Sequence, residues 1–369
     1  MSDHTENRIV LITGAGASIN LGADGKRLPL MDGWSALLVE RLDAAEPGLA
    51  STIELSSALT GEEFEERVGA FLAWQSGLDL MERFVQVGRQ STAGVSGDVH
   101  QWFSNARQQA ESIMRVINES LWSEFGGNRI DANVAGASYR ELLRALDALP
   151  GTESGGALFS ATTNYDRSGE IAFDDVGFTP DTGARGSAWQ TSRLDLSTMK
   201  PWRSHTEVPH LHLHGAVGWY RDPEQGGIKI APADQAFDDR LTPAVLYPDP
   251  DKDPLAEVDL GVAHLWGKLE EALESATHVL IVGHSLHDRP LLDAIAKASA
   301  QRRLRIGVSW FGEPDPAIQT LNSHGAFDGT KDLSLIEIDF QPDGDFTNVK
   351  RWIDGATIDR EGTARGGHI

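Results

Sequence analysis

The chain of 369 residues contains no cysteine. That excludes disulfides, a thiolate nucleophile, cysteine-held iron–sulfur clusters and the structural zinc sites built on paired cysteines. Positive charge is scarce: 32 Lys and Arg stand against 55 Asp and Glu, for a formal net charge of -23, and no basic run breaks the pattern. Binding a nucleic-acid backbone needs clustered cations, so no direct nucleic-acid contact is expected, and any nucleotide must be held by local dipoles and backbone groups. Long apolar runs are missing too, none approaching the ~18 residues of a membrane helix. The opening MSDHTENR is polar and acidic, without the apolar core of a secretion signal. The expectation is a soluble, cytoplasmic protein with no membrane partner.

What is present is an ordinary share of hydrophobic residues, 40%, gathered in short runs. RIVLITG (8–14), ALFSATTN (157–164), HLHLHG (210–215), THVLIVG (277–283), LRIGVSW (304–310) and LSLIEIDF (333–340) read as strands of a sheet covered on both faces. SALLVERLDAA, RPLLDAIAKASAQR and PAIQTLNSH follow three of them with helical character. The alternation predicts an α/β fold: a Rossmann-like, doubly wound, mainly parallel sheet. Between about 35 and 150 the apolar spacing is helical, as in FEERVGAFLAWQSGLDLMERFVQV and ARQQAESIMRVINESLWSEF. One domain spanning 1–355 with a helical insertion is expected, with 165–205 and 220–260 as long connections and 356–369 as a flexible tail.

The first strand runs into Gly14-Ala15-Gly16-Ala17-Ser18. Glycines there let a backbone approach a pyrophosphate, and a following helix start offers N–H groups and a positive dipole end. Ile19 stands where the third glycine of the dinucleotide fingerprint falls, so a plain dehydrogenase fits poorly, and a tight turn without ligand is the alternative. A second strand of the same kind ends in Gly283, Ser285 and Asp288 before Pro290. Asn164 and Asp166 also follow a strand. Each has a bland alternative: Asn164 and Asp166 as turn formers, Ser285 and Asp288 as helix caps. In PHLHLHGAVGW, His210, His212 and His214 share one strand face. One strand rarely supplies a full ligand set and no acid cluster completes it, so no metal is expected.

Taken in order, ITGAGAS (12–18), TTNYD (162–166), LHLHG (211–215) and VGHSLHD (282–288) resemble the motifs of the Sir2 (sirtuin-like) family. The resemblance implies a Rossmann-like domain that binds NAD+ as substrate and cleaves it between nicotinamide and ribose. Carried over, Gly14, Ala15, Gly16, Ala17 and Ser18 would hold the phosphates, Asn164 and Asp166 the nicotinamide ribose and carboxamide, and Gly283 and Ser285 the adenosine half. Asp288 resembles an acid of the bacterial branch. His214 matches the catalytic histidine, with Asn164 and Asp166 as its expected partners and His210 and His212 as neighbours. Departures are informative. Without cysteine there is no zinc module, and RLPLMDGW (27–34) keeps Pro29 and offers only Asp32 for the rest of a family run. Both count against peptide deacylation and leave NAD+ cleavage intact. The resemblance extends to antiphage NAD+ hydrolases, implying a homo-oligomer controlled by assembly or a HerA-type ATPase or translocase. A protein deacylase or ADP-ribosyltransferase and a non-catalytic NAD or ADP-ribose sensor stand as alternatives.

Overall fold

Ile9–Thr13 form strand β1, and every residue of it is buried. A strand covered on both faces must be apolar at both parities, which is why its sequence shows no alternation. The same holds for β2 (Leu158–Thr162) and β9 (His278–Val282). In the computed structural model, which describes residues 8–90, 97–126, 129–147, 158–186, 191–202, 207–222, 226–231, 237–238, 240–247, 260–309, 320, 333–336, 344–353, 357–358 and 364–365, these strands form the centre of a seven-stranded sheet. With β3 (Thr179–Asp181), β6 (Glu207–His212), β10 (Arg305–Ser309) and β11 (Leu333–Leu335) the order is β11-β10-β9-β1-β2-β6-β3, and every neighbouring pair is parallel. Ile9 sits opposite both Leu158 and His278.

Helices cover both faces. α8 (Leu260–Leu273) and α9 (Arg289–Gln301) bury Leu265, Leu269, Leu291 and Ile295 against Val10, Ile12, Phe159 and Ile281. On the other face α6 (Ala132–Asp147), α7 (Ser168–Asp175) and α10 (Thr347–Ile353) pack Leu142, Phe173 and Trp352 with Leu11, Leu158, Val208 and Leu280. The fold is therefore a doubly wound, Rossmann-like α/β sheet. The chain leaves β1 towards β2 on one side and later returns to β9 on the other, so strand order reverses between β1 and β9. Open parallel sheets place their ligands beyond the carboxyl ends of the strands at such a reversal.

The helical segment has a core of its own. α2 (Met31–Ala45), α3 (Leu49–Thr52), α4 (Gly61–Gln90) and α5 (Gly97–Phe125) bury Leu38, Leu42, Phe64, Val68, Ile113 and Ile117 together. α4 opens on a reciprocal cap, in which the Thr60 N–H donates to Glu63 and the Glu63 N–H to the Thr60 hydroxyl. Trp34, fully buried, lies edge-on to Phe64 and Phe125, each at 5.5 Å, and donates from Nε1 to the Ser120 hydroxyl at 2.9 Å. It also meets Tyr165, which follows β2, at 6.3 Å. The insertion is docked on the sheet through this ring cluster. α6, inside the expected span of about 35–150, instead belongs to the face of the sheet.

Elsewhere the structure differs from the sequence reading. Between β1 and α2 stand α1, only the four residues Ala15–Ser18, and a single 3-10 turn at Ala23–Gly25. The long connections contain α7, β3 and a four-stranded antiparallel sheet of β4 (Ala184–Arg185), β5 (Ser192–Leu194), β7 (Trp219–Arg221) and β8 (Ile228–Ile230). Strands of two or three residues are too short to show a period. Within the expected tail, β12 (Thr357–Ile358) pairs antiparallel with β13 (Ala364–Arg365). Of the expected helix PAIQTLNSH only Thr320 is described, and it is helical; residues 337–340 of the last strand lie outside the described residues.

Candidate active site

A cleft of about 360 Å³ opens beyond the ends of β1, β2 and β9, within the range of small-molecule sites. Its floor is Gly14, Ala15, Gly16, Ser18, Thr163, Asn164, Tyr165, Asp166 and His214. The loop before α9 supplies Gly283, His284, Ser285, His287 and Asp288. The far wall is Pro29, Met31, Asp32, Glu65 and Phe125, at or within the helical insertion. Of the residues named from the sequence all line the cleft except Ala17, His210 and His212.

The ends of β1 and β9 are locked together. The Gly14 N–H donates to the Val282 carbonyl at 2.9 Å and the Gly16 N–H to the Gly283 carbonyl at 2.8 Å. A Cβ on Gly14 would stand 2.6 Å from the His284 Cα, and one on Gly283, whose φ is +62°, would stand 2.2 Å from the Ala17 nitrogen. These glycines are therefore required by loop-on-loop packing, whatever binds above them. Of the N–H groups expected to cradle phosphate, those of Gly14 and Gly16 are already used, and the Ala17 N–H turns back to the Gly14 carbonyl at 2.9 Å. Ala17 is buried beneath the loop. A four-residue α1 also supplies little of the dipole a long helix would.

Asn164 is held from below. Its Nδ2 donates to the Gly14 carbonyl at 3.0 Å and the Ser18 hydroxyl at 2.6 Å, and its N–H donates to the Thr162 hydroxyl at 3.1 Å. A backbone carbonyl only accepts, so Nδ2 must face it. Among the described residues nothing bonds to Oδ1, which leaves an oriented acceptor on a residue that lines the cleft. Asp166 behaves as a turn former, its Oδ1 accepting the Ser168 N–H at 2.9 Å.

The expectation that Asn164 and Asp166 partner His214 is corrected. His214 Nε2 lies 2.6 Å from Asp288 Oδ2, with the two side chains only 7% and 5% exposed. Asp288 Oδ1 accepts the Leu291 N–H at 3.3 Å, capping α9. The acid is thus both the helix cap and the partner of the histidine. A carboxylate only accepts, so Nε2 carries a hydrogen, and in the neutral ring the lone pair is on Nδ1. The loop bearing Asp288 turns through Leu286, fully buried at φ +61°, whose N–H donates to His284 Nδ1 at 2.8 Å.

His210 and His212 lie within β6, which ends at His212, and do not line the cleft, whereas His214 lies in the turn beyond it. His212 Nε2 is 3.0 Å from Glu170 Oε1. Although burial opposes its ionisation, Glu170 is held well below the usual carboxylate range by the Arg167 guanidinium and the His212 bond. His210 Nδ1 meets the Ser160 hydroxyl at 2.9 Å, and burial, with His212 beside it, lowers its pKa to about 3. It is a neutral core residue. Among the described residues no group of three or more potential metal ligands is assembled, and no helix is long and apolar enough to cross a membrane. Sequence reasoning missed Glu65, which stands among Glu62, Glu63 and Glu66 with nothing to mark it.

No family model and no curated protein matches the sequence. Solved structures similar to this chain include a Sir2 homologue in complex with NAD, at 13% identity over 88% of this chain and 91% of that one, with a TM-score of 0.37. A mutant Sir2 homologue bound to 2'-O-acetyl ADP ribose is 14% identical over 88% and 92%, with a TM-score of 0.38. Similarity of this degree carries no weight for ligand or reaction, which rest on the cleft itself.

Proposed function

We propose that the chain is an NAD+ glycohydrolase, releasing nicotinamide and ADP-ribose. The observation that carries this reading is the buried His214–Asp288 pair, set in one cleft with the oriented Asn164 amide at the strand-order reversal of a Rossmann-like sheet. The four motifs that resemble the Sir2 family all end at this cleft. Cleavage breaks the bond between the anomeric carbon and the ring nitrogen, and the electron pair goes to nicotinamide, discharging its positive ring. The carbon, oxocarbenium-like as in glycoside hydrolysis, takes its new oxygen from water. His214, with Nδ1 free and Nε2–H held by Asp288, accepts the proton of that water, and the Asn164 Oδ1 receives a hydrogen bond from the ribose or carboxamide.

The reading extends to NAD+ depletion in antiphage defence, restrained by assembly or by a HerA-type partner. Support for assembly comes from α4 and α5, which expose Trp74, Leu80, Met81, Val99 and Trp102. The test is to incubate the purified chain, alone and with the product of a neighbouring ATPase gene, with NAD+ and follow nicotinamide. Release that is abolished in His214→Ala and Asn164→Ala supports the hydrolase. Undiminished release in both variants, or none from the wild type under either condition, refutes it.

A further inference from the structure

Three of the acids that line the cleft are already engaged. Asp288 holds His214 and the Leu291 N–H, Asp166 accepts the Ser168 N–H, and Asp32 accepts the Gly33 N–H. Glu65 is different: among the described residues no hydrogen bond or ion pair engages its carboxylate, although it lines the same cleft. The cation two residues along the helix, Arg67, is taken up by Glu54 at 2.7 Å.

Nor is Glu65 on a loose segment. The reciprocal Thr60–Glu63 cap fixes the first turn of α4, and Phe64 beside it is fully buried against Trp34. The Glu65 carboxylate is within electrostatic reach of Tyr165, as is that of Asp288, and the Tyr165 ring lies 6.4 Å from the His214 ring. Glu65 therefore lies at the Tyr165 end of the cleft that also holds the His214–Asp288 pair.

On the reading of the site as an NAD+ cleft, this is the end that receives the nicotinamide. The ring of NAD+ is a pyridinium with a full positive charge. That of NADH is neutral, and ADP-ribose has no such ring. We propose that Glu65 is a specificity residue that recognises the cationic nicotinamide ring and so selects the oxidised dinucleotide over the reduced one. Asn164 and the glycine loop touch groups that NAD+ and NADH share and cannot make that distinction. A half-exposed carboxylate facing a unit charge is worth about a tenfold preference.

The test is calorimetric titration of the full chain with carba-NAD+, NADH and ADP-ribose. Carba-NAD+ keeps the pyridinium but resists cleavage, because a methylene replaces the ribose ring oxygen. The wild type is expected to favour carba-NAD+ over NADH about tenfold, a preference that shrinks as salt is raised. Glu65→Gln should erase the preference and leave ADP-ribose affinity within about twofold, while Glu65→Asp retains part of it. A preference that survives Glu65→Gln, or ADP-ribose affinity that falls in step, overturns the assignment. So does a wild type that binds ADP-ribose and shows no charge preference, and in that case the dinucleotide site itself stands. A wild type that binds none of the three overturns both. If Glu65→Gln does not fold, the salt dependence of the wild type and the Glu65→Asp ratio decide.

Discussion

Replacing Asp288 with asparagine separates two jobs that one side chain performs. Its Oδ1 caps α9 and its Oδ2 accepts the His214 Nε2–H across 2.6 Å, between side chains 5% and 7% exposed. Asparagine caps a helix about as well as aspartate, so the bond to Leu291 is kept and α9 stays in place. What is lost is a charge-assisted hydrogen bond out of contact with water, worth about 1.5–3 kcal/mol. An amide can also turn its NH2 to the ring, which moves the proton to Nδ1 and removes the base. At about 1.4 kcal/mol per factor of ten, nicotinamide release should fall by about 10- to 150-fold, with the melting temperature lowered by only about 2–4 °C. Asp288→Ala should lose activity and, in addition, about 1 kcal/mol of cap. Steady-state release and thermal unfolding, measured on the same preparations, check both. An Asp288→Asn enzyme within about threefold of wild type would show that the pair is only a helix cap, and the catalytic role of Asp288 falls.

Two further outcomes concern stability. Burial holds His210 near pKa 3, against 6.5 in the unfolded chain, and His278 is lowered to about 4 for the same reason. As pH falls below 6.5 the unfolded chain takes up protons that the folded chain refuses, so stability complete at neutral pH is lost progressively from 6.5 down to about 3. Each histidine should cost about 2 kcal/mol by about pH 5, and His210→Gln should remove half of that slope in melts from about pH 7.5 to 5; an unchanged slope contradicts it. Gly283→Ala places a Cβ 2.2 Å from the Ala17 nitrogen at φ +62°. It should destabilise by about 2–4 kcal/mol, read by denaturant titration, and a variant as stable as wild type would show that the two loops do not interlock.

The strands were legible because burial on both faces forces apolar residues at most positions; β1 and β9 fall within one residue of where the apolar runs place them, and β2 within two. The cleft was half legible. Gly14, Asn164, His214, Gly283 and Asp288 stand at strand ends, where a short motif can be read against its neighbours. Their mutual bonds were not, since Asp288 as cap and Asp288 as histidine partner call for the same residue at the same place. The glycines illustrate the same ambiguity: close approach to a phosphate and close approach to another loop both require a missing Cβ, and only packing tells them apart. Glu65 was invisible, because its role depends on how α4 is rotated over Tyr165, a long-range contact that no local pattern encodes.

Trp34 and Tyr165 belong to separate stretches of chain, yet their rings share one contact, and the cleft exists only where the parts they join are in register. The core of the helices takes in Tyr165, Val217 and Val245 from the chain around the sheet, so the two parts share packing. The proposed activity is then a property of the junction. Helices that drift leave the strands, the glycine turns and the His214–Asp288 pair in place and take away the far wall of the cleft. Heat or mild denaturant that loosens this junction should silence turnover before the sheet melts.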